Sequence, residues 1–278
     1  LFARVAEAGG MLKRELSMKG VNIDFETVEL PAECYSLMQR IQDEFTDNGK
    51  KELKGKDKAI VRMHQRRQQE PFKIARAVEM AKEELAEGRR VIIYASRVNK
   101  SDVVKRTYAR DPLTGERYLV EERLIHSSEG TLRTLKKKLE EAGITDISEL
   151  HGGAESTSAE AQEKFQSGKA RVLIATIESG GVGINLDDRA GDSPRTMIIM
   201  TAPFSAVDNV QAAGRVWRMT SKSKPKIRFL FGDTGVDRWN RDIIASKMQT
   251  LDAVVSGDVG RLDVENAEWR QIQDVENL

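Results

Sequence analysis

The apolar residues of this chain change their spacing at Arg89. From there on, short and wholly apolar runs alternate with stretches of helical period. The runs are Val91 to Ala95, Val172 to Ala175, Met197 to Met200 and Ile227 to Phe231. Between them, Thr131 to Ala142 sets Leu132, Leu135 and Leu139 on one helical face and ends before Gly143. Thr157 and Glu160 match a capping box that opens a helix through Phe165, with Gly168 behind it. Ala206 to Arg218 and Val236 to Leu251 also read as helices. Apolar strands alternating with helices predict an α/β fold, a parallel sheet with helices on both faces.

Residues 1 to 88 read differently, as a mainly helical segment with one strand. Val21 to Leu30 alternates, and Pro31 is expected as the first residue of a helix carrying Cys34, Leu37, Met38, Ile41 and Phe45. Phe72 to Leu85 reads as an amphipathic helix closed by Gly88. Lys50 to Arg76 is rich in Lys and Arg, which suits either a phosphate-tracking surface or a solvated helical face or mobile linker. Val104 to Ser128 interrupts the second region and turns at Asp111 to Gly115, predicting an inserted β-hairpin, either a strand-separating pin or partner surface or a plain surface insertion. The expected organisation is therefore 1–88, then a domain over 89–255 with an insertion about 104–128, then a polar tail over 256–278.

Composition narrows the function class. The chain has 278 residues and a net charge of only +1, so any nucleic-acid surface must arise from local segregation of charge. The single cysteine, Cys34, is expected to be a packing residue, and no disulfide framework can form within the chain. Scattered histidines and one cysteine predict no metal site. No apolar run is long enough to span a bilayer and no secretory signal opens the chain, so a cytoplasmic or nuclear or nucleoid-associated protein is expected, without a membrane partner. A start at Leu1 rather than Met leads us to expect a piece of a longer polypeptide.

The strongest chemical signal is Gln211-Ala-Ala-Gly214-Arg215-Val-Trp-Arg218. This pattern places two arginines three apart on one face of a helix, and guanidinium forks bind phosphate oxygens in pairs. A second signal is the apolar strand ending at Thr176, followed by a loop with Ser179, Gly180, Gly181, Gly183 and Asn185. Glycines there let backbone amides approach phosphates, although a tight turn accounts for them equally well. Two shorter features are Ser96-Arg97 after the first strand and His151-Gly152-Gly153 after Leu150. His151 reads more simply as an ordinary residue at a strand end than as a chemical group.

The order of these pieces resembles the RecA-like C-terminal lobe of superfamily 2 helicases, over about Arg89 to Asp252. The Gly-Gly-Val-Gly-Ile-Asn-Leu wording is similar to Swi/Snf-type translocases, and Gly10 to Val21 resembles the strawberry notch helicase-like branch. The resemblance implies that Arg218 is the arginine finger, with Arg215 beside it. It implies ATP contacts at Gln211, Gly214, Gly181, Gly183, Asn185 and Asp208. Nucleic-acid contacts are implied at Thr176, Ser179, Gly180, Ser96, Arg97, His151 and Gly152, with DNA favoured. ATP with Mg2+ would be held mainly by an N-terminal RecA-like lobe of the same polypeptide.

That first lobe carries a P-loop, Gly-x-x-x-x-Gly-Lys-Ser/Thr, and an acidic pair. Gly49 to Lys56 has the wrong spacing and is followed by Asp57, and Asp43-Glu44 has no apolar strand before it. The chain alone is expected not to hydrolyse ATP. An alternative is a helicase-like lobe kept as a scaffold for partner proteins. A free-standing Rossmann-type cofactor enzyme fits poorly, since no Gly-x-Gly-x-x-Gly follows the first strand.

Overall fold

Strand β2 (Arg90–Ala95) explains the architecture, because its side chains are buried in both directions. Val91, Ile93 and Ala95 enter one core and Ile92 and Tyr94 another, all inaccessible to solvent. Such a strand must lie inside a sheet covered on both faces. A computed structural model of the chain, which describes residues 21–152, 154–176, 184–203, 205–218 and 220–256, has this arrangement.

The described elements run β1 (Asn22–Val28), α1 (Ala32–Thr46), α2 (Gly55–Gln69), a 3₁₀ turn (Glu70–Lys73), α3 (Ile74–Ala86) and β2. They continue with β3 (Ser101–Arg110), β4 (Arg117–Ser128), α4 (Thr131–Glu141), β5 (Ile147–Leu150), α5 (Ser158–Ser167) and β6 (Val172–Thr176). β7 (Arg195–Ile199), α6 (Ala206–Val216), β8 (Lys226–Gly232) and α7 (Gly235–Ser256) complete them. The main sheet has the order β1-β8-β7-β2-β6-β5, with every described pair parallel. Helices α5, α6 and α7 cover one face and α3 and α4 the other.

The sequence predicts strand β5 only as the strand end at His151, without bounds. Its Ser148 and Glu149 break the apolar pattern, although Ser148 is buried and bonds the Ala161 carbonyl at 3.3 Å. The alternating strand ahead of Pro31 is β1, and it is the outer strand of the same sheet. It pairs with β8 from Asn22↔Lys226 to Val28↔Gly232, and Phe25 stacks on Phe229 at 5.1 Å. Pro31 is the N-cap of α1, not its first helical residue, because its ψ of 155° is extended. Of the basic stretch, Lys73 and Arg66 are buried and Arg76 pairs with Glu26, Glu79 and Glu83, so these members are structural. Cys34 packs with Leu37, Met38 and Ile41 as expected, and burial pushes its thiol up to about 11.

The insertion is the hairpin β3–β4, pairing Ser101↔Ser128 through Arg110↔Arg117. Its root is pinned where Gly130 passes the Val98 carbonyl. A Cβ on Gly130 would lie 1.8 Å from that oxygen, so only glycine fits. Val103 buries itself against α1 and α2, while Tyr108, Leu113, Tyr118, Leu119, Val120 and Leu124 are exposed.

The capping box of α5 forms in full. Thr157 Oγ1 accepts the Glu160 amide at 3.3 Å and Glu160 accepts the Thr157 amide at 2.7 Å. Gly168 closes the helix at φ 80°, a left-handed position that suits glycine. Thr157→Ala is expected to lower stability by about 1 kcal/mol, read as a shift in the urea midpoint; an unchanged midpoint would remove this cap from the account. The Gly10 to Val21 resemblance, apart from Val21 itself, lies outside the described residues, as does the tail beyond Ser256.

Candidate functional site

Parallel strands place all their carboxyl ends on one edge, and ligands of such sheets bind where neighbouring connections leave in opposite directions. Here that point lies between β2, whose chain runs on toward β5, and β7, whose chain runs on toward β8. Ser96 and Arg97 follow β2, and the connection to α6 follows β7, with the Met200 amide bonded to the Tyr94 carbonyl at 2.9 Å. Thr176 ends β6 and His151 and Gly152 follow β5, on the same edge.

Helix α6 brings Asp208, Gln211 and Arg215 to one face by the i, i+3, i+7 rule, while Ala212, Ala213 and Val216 fill the core. Ser205 caps the helix by accepting the Asp208 amide at 3.2 Å. Asp208 and Gln211 are exposed, and Gly214 and Arg215 half-buried. Arg218 departs from the sequence expectation. The helix ends at Val216, and Trp217 is extended (φ −117°, ψ 110°), so Arg218 does not share the helical face of Arg215. The extended Trp217 turns the chain out of the helix, and Ser221 Oγ then caps the Arg218 amide at 2.8 Å.

The two arginines are nevertheless tied to one segment. The Arg215 carbonyl accepts the Leu186 amide at 2.9 Å, and Arg218 Nη2 reaches the Ile184 carbonyl at 3.4 Å. Arg218 Nε is buried with no hydrogen-bond partner among the described residues. Asn185, between those contacts, donates its amide to Gln162 at 3.0 Å, and its carbonyl accepts from Gln166 at 2.9 Å. Thus Ile184 to Leu186 and the arginine segment are hydrogen-bonded to each other. Burial pushes the Tyr94 hydroxyl up to about 12, and the charge of Arg215 opposes it. Ser179, Gly180, Gly181 and Gly183 lie outside the described residues, as does Gly153.

Of the remaining candidates, Ser96 and His151 have partners within the protein. Thr176 is buried. His151 contacts Glu149 at 3.1 Å through Nε2 and the Gly152 carbonyl at 3.3 Å through Nδ1, the behaviour of a strand-end residue. Burial pushes the Glu149 carboxyl up, and hydrogen bonds from Lys136 and His151 outweigh it and hold it below its usual range. Gly152 borders open space. Both donors of Ser96 go to Glu70, the amide at 2.8 Å and the hydroxyl at 2.7 Å. Arg97 is half-buried; its carbonyl accepts the Leu132 amide at 3.1 Å, and its charge adds to burial in lowering the His64 pKa. Glu70 was missed by sequence reasoning, because an acid between basic residues on a helical stretch reads as solvated.

Comparison with known proteins gives this edge a family context. The family model described as the C-terminal domain on Strawberry notch homologue matches residues 121–277, more than half of the chain. Protein FORGETTER 1 of Arabidopsis thaliana is 33% identical over 99 residues, which are 35% of this chain and 8% of that protein, so the match spans a small part of its relative. The C-terminal part of the Fun30 ATPase domain has the same fold, with a TM-score of 0.55 at 12% identity over 86% of this chain and 97% of that one. The Sulfolobus solfataricus SWI2/SNF2 ATPase core, solved in complex with dsDNA, aligns with a TM-score of 0.51 at 14% identity, over 88% of this chain and 49% of that one. Among the described residues no helix is long and apolar enough to cross a membrane. The parallel sheet thus has the fold of these ATPase domains, and the chain belongs to the strawberry notch C-terminal domain family.

Proposed function

We propose that this chain is the second motor lobe of an ATP-dependent nucleic-acid helicase or double-stranded DNA translocase. The observation that carries the reading is the convergence of Ile184 to Leu186 with Arg215 and Arg218. There the donors suit phosphate oxygens: two guanidinium groups, one with a buried Nε that has no hydrogen-bond partner among the described residues. Gln211 and Gly214 lie on or beside the same helical face, and Asp208, which only accepts hydrogen bonds, fits the hydroxyl groups of a nucleotide better than its phosphates. ATP, with Mg2+, is the substrate, presented by a first lobe that supplies the P-loop missing from this sequence.

Within that reading, Arg215 and Arg218 stabilise the charge that develops on the transferred phosphoryl group, and Asn185 and the glycine loop, Gly181 and Gly183 included, link that event to the nucleic-acid side. Arg97, Thr176, Ser179, Gly180, His151 and Gly152 border the backbone path, with Ser96 orienting Arg97. Lobe closure and opening then move the lobe along the strand. The Sulfolobus solfataricus core is solved with dsDNA, and a 34% identical mimivirus relative is named a putative ATP-dependent RNA helicase; of the two nucleic acids we propose DNA.

The experiment is ATP hydrolysis by the intact protein and by this chain alone, each with and without duplex DNA. DNA is expected to stimulate the intact protein about tenfold or more, while the chain alone turns over at background. An intact protein with no ATPase activity would point to a scaffold instead. Mutation-sensitive hydrolysis by the chain alone would refute the composite site.

A further inference from the structure

Arg66, Gln69, Glu70 and Lys73 follow one another at steps of three, one and three, so they share one face where α2 runs into the 3₁₀ turn. That face is turned inward, with exposures of 6%, 0%, 0% and 0%. Burying polar groups costs stability unless each meets a partner. Here they bond to the connections that leave the carboxyl edge. Arg66 donates to the Ala202 carbonyl, in the approach to α6. Gln69 accepts from Thr234 Oγ1 at 2.8 Å, between β8 and α7. Glu70 takes both donors of Ser96. Lys73 bonds the Leu230 carbonyl at 3.2 Å and Asp237 Oδ2 at 3.0 Å.

We propose that this buried polar stripe sets the edge loops relative to one another, with Glu70 a positioning residue that holds the Ser96–Arg97 turn for contact with the nucleic-acid backbone. The proposal rests on the reading of that edge as a nucleic-acid contact. An apolar face would pack α2 and the turn more simply, but it could not fix the direction of a backbone amide and a hydroxyl together. The carboxylate of Glu70 does so through two oxygens, so Arg97 leaves β2 at one angle. The same stripe reaches the start of the arginine helix through Ala202, where Asn240 Nδ2 also donates at 3.3 Å. A shift of the stripe therefore reaches the Ser96–Arg97 turn and the approach to Arg215 together.

The test uses the intact protein and measures the concentration of a duplex DNA oligonucleotide that gives half-maximal stimulation of ATP hydrolysis. Glu70→Leu keeps the bulk and removes both acceptors. It is expected to raise that concentration about tenfold while leaving the rate at saturating DNA within about twofold. In Glu70→Gln the amide oxygen still accepts from the Ser96 amide and the amide nitrogen still reaches its hydroxyl. That variant is expected to stay within about threefold of the unsubstituted protein. An unchanged half-stimulating concentration in Glu70→Leu, a fall in saturated rate alone, or equal losses in both variants would overturn the proposal. Should Glu70→Leu fail to fold, Ser96→Ala removes the hydroxyl bond alone and is expected to shift the concentration about threefold, with no shift counting against the proposal. If DNA does not stimulate the unsubstituted protein, the functional reading fails and the proposal with it. Stimulation without an effect of Glu70→Leu sinks the proposal only.

Discussion

Replacing Arg218 by Ala in the intact protein is expected to lower kcat for ATP hydrolysis by about 10³-fold or more, while affinity for DNA changes by less than about threefold. The expectation rests on how incompletely this guanidinium is satisfied. Arg carries five N–H donors. Among the described residues Arg218 spends one, on the Ile184 carbonyl at the long distance of 3.4 Å, and its Nε is buried with no partner. A charged group held half-buried with donors to spare is already organised for oxygens that arrive with the other lobe. It need not first break strong bonds within its own, and such preorganised donors act most where charge develops in the transition state. Arg218→Lys is expected to fail almost as badly, since an ammonium cannot reproduce the planar fork. Arg215→Ala is expected to fall in the same direction. A thermal midpoint within a few degrees of the unsubstituted protein must accompany the loss. Hydrolysis surviving within about tenfold would remove Arg218 from the finger role and leave Arg215, on the helix proper, as the better candidate.

The departure of Arg218 from the helix shows where local pattern stops informing. Gln211, Gly214 and Arg215 obey the helical period, and their motif is legible because its spacing is also its geometry. Arg218 continues that spacing in sequence, but Trp217 is extended and the helix has ended. β2, β6, β7 and β8 were readable because burial on both faces leaves an unbroken apolar run. β5 was legible only at its end by His151, since its buried Ser148 and its ion-paired Glu149 look like solvent-facing residues until Ala161, Lys136 and His151 are brought to them. β1 was recognisable as a strand, but its neighbour β8 lies some two hundred residues further on, and no local signal names a parallel partner at that distance.

The buried stripe was the least legible feature of all. Helical spacing of Arg66, Gln69, Glu70 and Lys73 usually marks the face turned to water. Their partners, from Ser96 at a separation of 26 to Thr234 at 165, appear only when the sheet is assembled. Sequence reasoning therefore put these residues in a basic surface or linker. Here the tertiary structure inverted the amphipathic rule, and it did so beside the candidate site.

The largest loss of stability is expected at one end of that stripe. Lys73 and Asp237 have side chains only 1% and 2% exposed, 3.0 Å apart. Asp237 Oδ2 also accepts the Gly232 amide at 2.7 Å, and Lys73 donates to the Leu230 carbonyl at 3.2 Å. The pair thus fastens the 3₁₀ turn to both the end of β8 and the first turn of α7. Lys73→Met alone leaves a buried carboxylate without its cation and is expected to cost about 3–5 kcal/mol in chemical denaturation. Adding Asp237→Asn removes the stranded charge while its side-chain oxygen still accepts from Gly232. The double variant should therefore recover at least about half of the loss, because a buried pair offsets its own desolvation only narrowly. The two substitutions touch one network, so their effects must not add. If the double variant were as unstable as the sum of the two singles, each residue would be acting through packing alone. A loss below about 1 kcal/mol for Lys73→Met would mean that water reaches Asp237 and that the turn is not anchored there.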